Sequence, residues 1–323
     1  MGNACLGPEA DPLVWLQGEL VAGRRGVLLT VTAVHGGAPR PVGTHMAVVP
    51  GQGFAGYLSG GCVEPAIAGE AERVLFGGRD AILRFGRGSP FIDIRFPCGG
   101  GIDVLVHTGP TADTVAAMLS RMAARQPFTL AFRPEASHAM IVDAALPTGW
   151  VGPDFHRFYR PVTRLMLAGR GPELEAVARL GVAARYDVVV ATPDGDMATR
   201  LARLGIDMRH LKGPRDGVDL PADPFTATVL LFHEREWEDP ILAWALGGPS
   251  FYIGALGSAR THAVRRERLL ATGQPRAAID RIVGPIGLIP SARDPQTLAV
   301  SVLAEIADRN RSLDQASSLQ AHG

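Results

Sequence analysis

Cysteine is scarce in this chain, with only Cys5, Cys62 and Cys98 among 323 residues. Three scattered cysteines exclude a disulfide framework and a four-cysteine zinc site. Net charge is missing too, since 32 Lys and Arg balance 32 Asp and Glu. Nothing global therefore points to nucleic acid or to an anionic membrane as a partner. No apolar run approaches the ~20 residues needed to span a bilayer. Residues 1–12 lack the basic and apolar regions of a signal peptide. The expectation is a protein of the reducing cytoplasm. An apolar content of 46% with 20% charged residues describes a globular chain, long enough for two domains with their own cores.

What the chain does have is glycine, placed where it matters. Ser59-Gly60-Gly61-Cys62-Val63-Glu64 is a glycine turn carrying a cysteine, and the segment from Pro65 to Leu75 reads as a helix. Pro65 fits the first helical turn, where a missing N–H costs nothing. Cys62 then sits just ahead of a helix N-terminus, where unpaired N–H groups and the dipole favour negative charge. Such a setting lowers a thiol pKa from ~8.5 towards neutrality and makes the sulfur a better ligand or nucleophile. Gly60 and Gly61 remove side chains beside it, so a bulky ligand can approach the backbone. Taken alone, Cys62 reads first as a buried cysteine in a tight turn. A second element, Pro97-Cys98-Gly99-Gly100-Gly101, again sets a cysteine against glycines, and the repetition marks a site.

A first α/β domain is expected over residues 1–145. It opens with a helix from Asp11 to Ala22 and a buried strand from Gly26 to His35. Gly36 to Gly43 breaks that strand, and Pro39 and Pro41 hold Arg40 in place, where its forked guanidinium suits an anion. Strands follow at 45–49, 81–85, 102–107, 128–132 and 140–143, with an amphipathic helix at 111–126. Residues 146–160, rich in Pro, Gly and aromatics, read as a linker.

The second domain, 161–323, has a different grammar. Strand 164–168, the turn Gly169-Arg170-Gly171-Pro172, helix 173–184 and strand 187–191 make a βαβ unit with G-x-G at the phosphate position. Two departures weaken a dinucleotide reading. Leu174 takes the place of the third small residue, with bulk expected to push the helix off the strand. Thr192 stands where an acid usually holds the ribose hydroxyls, and losing such a charged acceptor costs about 1.5–3 kcal/mol. Asp194 is a partial substitute. His233-Glu234-Arg235-Glu236-Trp237 lacks the second histidine of a zinc-protease helix. Ser258 is an N-cap for a basic helix at 259–271, and Gly257, Ser258 and Arg260 form a candidate anion site. The last helix is expected at 295–310, followed beyond Ser312 by a disordered tail.

In combination these motifs resemble a known family. His35-Gly-Gly-Ala-Pro-Arg-Pro-Val-Gly43, Ser59-Gly-Gly-Cys-Val-Glu64 and Cys98-Gly-Gly100 are similar to the first domain of the XdhC/CoxI proteins, accessory factors of molybdenum hydroxylases. Tyr252-Ile-Gly-Ala-Leu-Gly-Ser258, Gly284-Pro-Ile-Gly287 and Ala299 to Ile306 resemble that family's Rossmann-type second domain. The resemblance implies a mixed α/β N-terminal domain followed by a Rossmann-type parallel sheet. It implies a chaperone that carries molybdenum cofactor (molybdopterin) as cargo and supports its sulfuration and insertion into a xanthine dehydrogenase-like client. Cys62, Cys98, Gly60, Gly61, Gly99, Gly100, Arg40 and Glu64 would form the cofactor site, with Cys62 a ligand of the cargo's molybdenum. Gly169, Gly171, Gly257, Ser258 and Arg260 would form a nucleotide or anion site. A cysteine desulfurase and a second copy of the chain are further partners it admits.

The chemistry of the residues agrees. Molybdopterin carries a phosphate, a hydrogen-bonding pterin and a metal held by its own dithiolene, so a carrier needs anion partners and soft thiolates. It needs no general acid–base pair, and the sequence offers no convincing one. The alternatives are an NAD(P)-dependent oxidoreductase built on the second domain and a thiol enzyme with Cys62 as nucleophile. No histidine can be paired with Cys62 from sequence.

Overall fold

The structure, a computed structural model, describes residues 10–37, 40–61, 63–91, 96 and 99–320, with 217–218 and 313–320 described by their backbone alone. The chain divides into two units, one ending at Pro161 and the other beginning at Val162. In the first, helix α1 (Asp11–Val21) leads into β1 (Val27–His35), β2 (His45–Val49) and β3 (Gly53–Ala55). Helix α2 (Glu64–Gly77), β4 (Ala81–Gly86), β5 (Gly101–His107) and helix α3 (Ala112–Ala123) follow. The unit closes with β6 (Phe128–Arg133), β7 (His138–Val142), β8 (Gly149–Val151) and β9 (Asp154–Tyr159). Five strands form an antiparallel sheet ordered β3-β2-β1-β5-β4, and four form a second, ordered β7-β6-β9-β8.

Strand β1 is apolar almost throughout because both of its faces are covered. Val27, Leu29 and Val31 share a core with Ile67, Ala71 and Leu75 of α2. Leu28 points the other way, into a core with Leu13 and Leu16 of α1, Met118 of α3 and Phe128 of β6. A near-continuous hydrophobic run is the sequence mark of such double burial.

Residues 146–160 are not a linker. They contain β8 and β9, and Phe155 and Tyr159 are fully buried, with Tyr159 stacked 4.7 Å from Phe128. Pro147, Gly149 and Gly152 flank short strands here, and turn residues read alike in a hairpin and in a connector.

The second unit alternates strand and helix. It comprises β10 (Arg164–Gly169), α4 (Pro172–Ala183), β11 (Asp187–Thr192), α5 (Gly195–Ala202), β12 (Asp207–His210) and β13 (Thr226–Leu231). Then come α6 (Arg235–Gly247), β14 (Tyr252–Ala255), α7 (Ala259–Ala271), α8 (Arg276–Ile279), β15 (Ile282–Val283) and α9 (Pro295–Gln320). The six strands are parallel in the order β12-β11-β10-β13-β14-β15, the Rossmann order, and helices cover both faces. Trp237, stacked 5.6 Å from Phe232, anchors the first turn of α6, which runs on through Pro240. Helix α9 continues to Gln320 in place of the expected disordered tail, and no Pro or Gly interrupts residues 296–320. Among the described residues no helix is long and apolar enough to cross a membrane.

One buried histidine ties the two sheets of the first unit together. His45 of β2 lies 3.0 Å from the Thr30 hydroxyl and hydrogen-bonds the Tyr159 hydroxyl of β9. Burial first, then the charge of Arg157, pushes its pKa down to about 3. The folded state therefore holds a neutral ring. The stability this gives is complete above the unfolded value of about 6.5, and it falls as pH drops from there towards 3. By pH 5 the loss is about 2 kcal/mol. Urea titrations at pH 7 and pH 5 should show this excess loss in the native chain and not in His45→Gln; parallel losses would contradict it.

Candidate functional site

The backbone from Leu58 to Val63 wraps around a carboxylate. Glu64, the first residue of α2, is fully buried, and its side chain folds back over the turn that precedes it. Oε1 accepts from the N–H groups of Leu58 (3.1 Å), Ser59 (2.7 Å) and Gly60 (3.1 Å). Oε2 accepts from those of Gly61 (2.9 Å) and Val63 (3.2 Å), and the Ser59 hydroxyl lies 2.8 Å from both oxygens. Burial pushes this carboxyl up. The hydrogen bonds, those of Ser59 foremost, outweigh it and hold the group below the usual carboxylate range.

The glycine turn, which the sequence presents as open to an outside anion, thus already holds the chain's own. Gly60 and Gly61 have φ of +119° and +113°, a region that side-chain-bearing residues rarely adopt. Beyond their chain neighbours, no described atom lies within 4 Å of where either Cβ would stand. Bare backbone therefore borders open space beside the turn. Cys62, like Cys5 and Cys98, lies outside the described residues. Its neighbours Gly61 and Val63 are both anchored on Glu64.

The second glycine run is packed differently. A Cβ at Gly100 would overlap the carbonyl of Gly37, and one at Gly86 would overlap the carbonyl of Gly100. Arg87 N–H donates to the Gly100 carbonyl at 2.9 Å, and Gly99, at φ +68°, donates to Phe96 O at 3.0 Å. The ends of β1 and β4 and the start of β5 therefore meet backbone to backbone. Arg40, in the loop after β1, is exposed. Gly100 is thus brought to the His35–Gly37 segment, whereas among the described residues no comparable backbone packing surrounds Gly60 and Gly61.

Three side chains meet at this strand end, and of them only His35 lies in one of the sequence motifs. Arg84 of β4 grips Asp103 of β5 with two bonds, Nε to Oδ1 at 2.6 Å and Nη2 to Oδ2 at 2.8 Å. His35 of β1 places Nε2 3.0 Å from Asp103 Oδ2 and 2.9 Å from Arg84 Nη2. The Arg84 hydrogen bonds, then that of His35, outweigh burial and hold the Asp103 carboxyl below its usual range. Asp103 pairs with Arg84 across β4 and β5, and with Ala33 across β1. The available signal is a charge inside each of two apolar strands, Leu83-Arg84-Phe85 and Ile102-Asp103-Val104.

In the second unit the expectations divide. Leu174 does not push α4 away; it is fully buried in the core, and the helix meets the sheet closely at Gly181. A Cβ at Gly181 would stand 2.7 Å from Leu165 Cδ1, so the small residue needed for close approach lies further along the helix. Thr192 is fully buried, with its hydroxyl accepting from Asp194 N–H at 3.2 Å, and Asp194 caps α5 by accepting from Met197 N–H at 2.9 Å. Gly171, at φ +87°, caps α4 and follows Gly169 and Arg170. Arg170 stands 3.5 Å from Glu234, with its guanidinium 5.8 Å from the Trp237 ring centroid. These residues follow β10 and β13, the two strands between which the order reverses and this fold takes dinucleotides. An internal Arg–Glu pair occupies that position.

Ser258 caps α7 as expected, its hydroxyl accepting from Thr261 N–H at 3.2 Å, and Gly257 (φ +135°) precedes it. Arg260 is exposed. Two further arginines of the helix are engaged: Arg265 is buried and paired through two 2.8 Å bonds with Glu238, and Arg268 bridges Glu238 and Asp239. Among the described residues no cluster of three or more His, Cys, Asp or Glu is placed to hold a metal ion.

Residues 165–306 match the XdhC Rossmann domain, and residues 20–86 match the XdhC and CoxI family. The chain is 38% identical over 288 residues to the molybdenum cofactor insertion chaperone PaoD of Escherichia coli (strain K12), spanning 89% of this chain and 84% of that protein. It is 29% identical over 147 residues to a probable xanthine dehydrogenase subunit of Bacillus subtilis (strain 168), spanning 45% of this chain and 42% of that protein. Among solved structures, a xanthine dehydrogenase from Bacillus halodurans matches with a TM-score of 0.75 at 22% identity, over 96% of this chain and 99% of that one. At that identity the likeness speaks to the fold alone.

Removing the charge at Glu64 leaves amides facing an amide nitrogen. Glu64→Gln should lower unfolding stability by at least about 2 kcal/mol, since hydrogen bonds to a charged group are each worth ~1.5–3 kcal/mol. Chemical denaturation measures this, and an unchanged midpoint would show that the turn does not depend on the carboxylate.

Proposed function

This chain belongs to the XdhC/CoxI family, and on that premise we propose that it is a molybdenum cofactor chaperone rather than an enzyme. It binds molybdopterin as cargo and supports its sulfuration and insertion into a xanthine dehydrogenase-like hydroxylase in the cytoplasm. The observation that carries this reading is the likeness to a cofactor insertion chaperone along nearly the whole chain. A cysteine desulfurase as sulfur source and a second copy of the chain belong to the same proposal.

The cargo brings its metal in its own dithiolene, so the chain's task is to hold, orient and release. Soft thiolates suit that task. In this reading Cys62 is the thiolate nearest the metal. Its flanking residues are fixed by the Glu64 carboxylate, and α2 begins two residues after it, where the dipole favours a negative sulfur. Bare backbone at Gly60 and Gly61 lets the cofactor approach, Arg40 reaches for its phosphate, and Cys98 with Gly99 and Gly100 gives a second contact.

The Rossmann strand order favours a second reading, an NAD(P)-dependent oxidoreductase. The buried Thr192, the capping role of Asp194 and the Arg170–Glu234 pair all oppose it. Calorimetry with NAD and NADP, oxidised and reduced, should give affinities weaker than about 0.1 mM, or roughly −5.5 kcal/mol. Micromolar binding would restore the oxidoreductase reading.

The chaperone reading is tested by replacing each cysteine with serine and measuring retained molybdopterin and client activation. Cys62→Ser should lose most of both, Cys98→Ser part, and Cys5→Ser neither, with folding unchanged in all three. The dipole contributes about 0.3–1 kcal/mol to a thiolate at an exposed site, and up to ~2 when partly buried. Full cofactor retention in Cys62→Ser would remove the thiolate ligand and leave Arg40 and the glycine turns to explain binding.

A further inference from the structure

We propose that His35 and Arg84, both held by Asp103, form an oxyanion-binding fork at the end of the first unit's five-stranded sheet. The identity of the natural oxyanion, the cargo's phosphate or its metal-oxo group, rests on the chaperone reading. The site itself does not.

The hydrogen-bond geometry determines what the cluster can bind. Both oxygens of Asp103 are engaged, Oδ1 by Arg84 Nε, and Oδ2 by Arg84 Nη2 and His35 Nε2. The guanidinium held against this carboxylate disfavours a cation there. Arg84 binds through Nε and Nη2 alone, so Nη1 and its two N–H donors have no partner among the described residues. His35 binds only through Nε2, so Nδ1 is likewise unpartnered among them. Guanidinium Nη2 is only a donor and the carboxylate only an acceptor, so Nε2 can satisfy one of its two neighbours at a time. With its proton on Nε2, His35 donates to Asp103. An imidazolium, with Nδ1 protonated as well, would offer a second donor.

Preorganisation is what distinguishes this from a surface ion pair. An exposed Arg–Asp pair contributes at most about 1 kcal/mol to folding, so stability gives little account of an arginine, an aspartate and a histidine gathered from three adjacent strands. Their side chains are also part-exposed, His35 at 37% and Arg84 at 39%. Beside them the segments at Gly36–Gly37, Gly86–Arg87 and Gly99–Gly101 pack backbone on backbone. Glycine supplies no side chain there to cover the two donors. A forked pair of fixed N–H donors suits a tetrahedral oxyanion.

The test uses the full chain with histidine-selective isotope labelling, titrated separately with inorganic phosphate and with sodium molybdate at constant ionic strength. The His35 ring signal, identified by its absence in His35→Gln, should shift saturably with one or both anions. Phosphate alone would assign the fork to the cargo's phosphate, and molybdate alone to its metal-oxo end. Arg84→Gln should weaken the interaction by about tenfold or more, as expected for loss of a charge-assisted contact. Arg84→Lys, which keeps a cation beside Asp103 without the fixed second donor, should weaken it as well if the first variant fails to fold. No saturable shift with either anion, or equal affinity in a folded Arg84→Lys, overturns the fork. Failure of the chaperone reading looks different: the native chain would retain no cofactor while His35 still responded to the anions.

Discussion

The first unit's site depends on one buried anion. Glu64 gathers five backbone N–H groups and a hydroxyl onto two oxygens, and in doing so gives the turn from Leu58 to Val63 its shape. Leaving such amides unpaired in the interior costs ~1–3 kcal/mol each, more beside a charge, so the turn and the carboxylate stand or fall together. The positive φ of Gly60 and Gly61 follows from that convergence, because both amides must turn inward within two residues. In the sequence, Cys62 falls between Gly61 and Val63, whose amides both bind this carboxylate.

The same economy governs the second glycine run. Gly86, Gly100 and Gly101 are required by close backbone approach, since a Cβ at any of them would meet a neighbouring main chain. That approach draws His35, Arg84 and Asp103 onto one strand end. In the second unit, by contrast, charge is turned inward and neutralised. Arg265 and Glu238 are buried together, and removing one partner of such a pair typically costs about 3–5 kcal/mol. Arg170 and Glu234, both part-exposed, pair at the strand ends where this fold takes dinucleotides.

Much of the fold is legible in the sequence because period and burial agree. The double burial of β1, the helix after Pro65, the βαβ unit at 164–191 and the Ser258 cap are all written in local pattern. What is not legible depends on distant partners. Phe155 and Tyr159 become strand residues only when Phe132 and Phe128 of β6 lie across from them, so their turn-rich surroundings read as a linker. Glu64 reads from its motif as a cofactor-site residue, yet its hydrogen bonds fold back on the turn, which spacing alone cannot reveal. Arg84 and Asp103 are 19 residues apart in sequence and adjacent only through the pairing of β4 with β5. Leu174 looks too bulky by analogy with other dinucleotide folds, whereas here Gly181 provides the close approach.

Molybdopterin carried as cargo should stay with the chain through purification. The native chain is purified from a molybdenum-replete host, and the pterin and metal that it releases on denaturation are assayed. Oxidised pterin and molybdenum should be released together, in equal amounts, with no nicotinamide nucleotide. A chain that carries neither, or that releases NAD(P) instead, would contradict the chaperone reading.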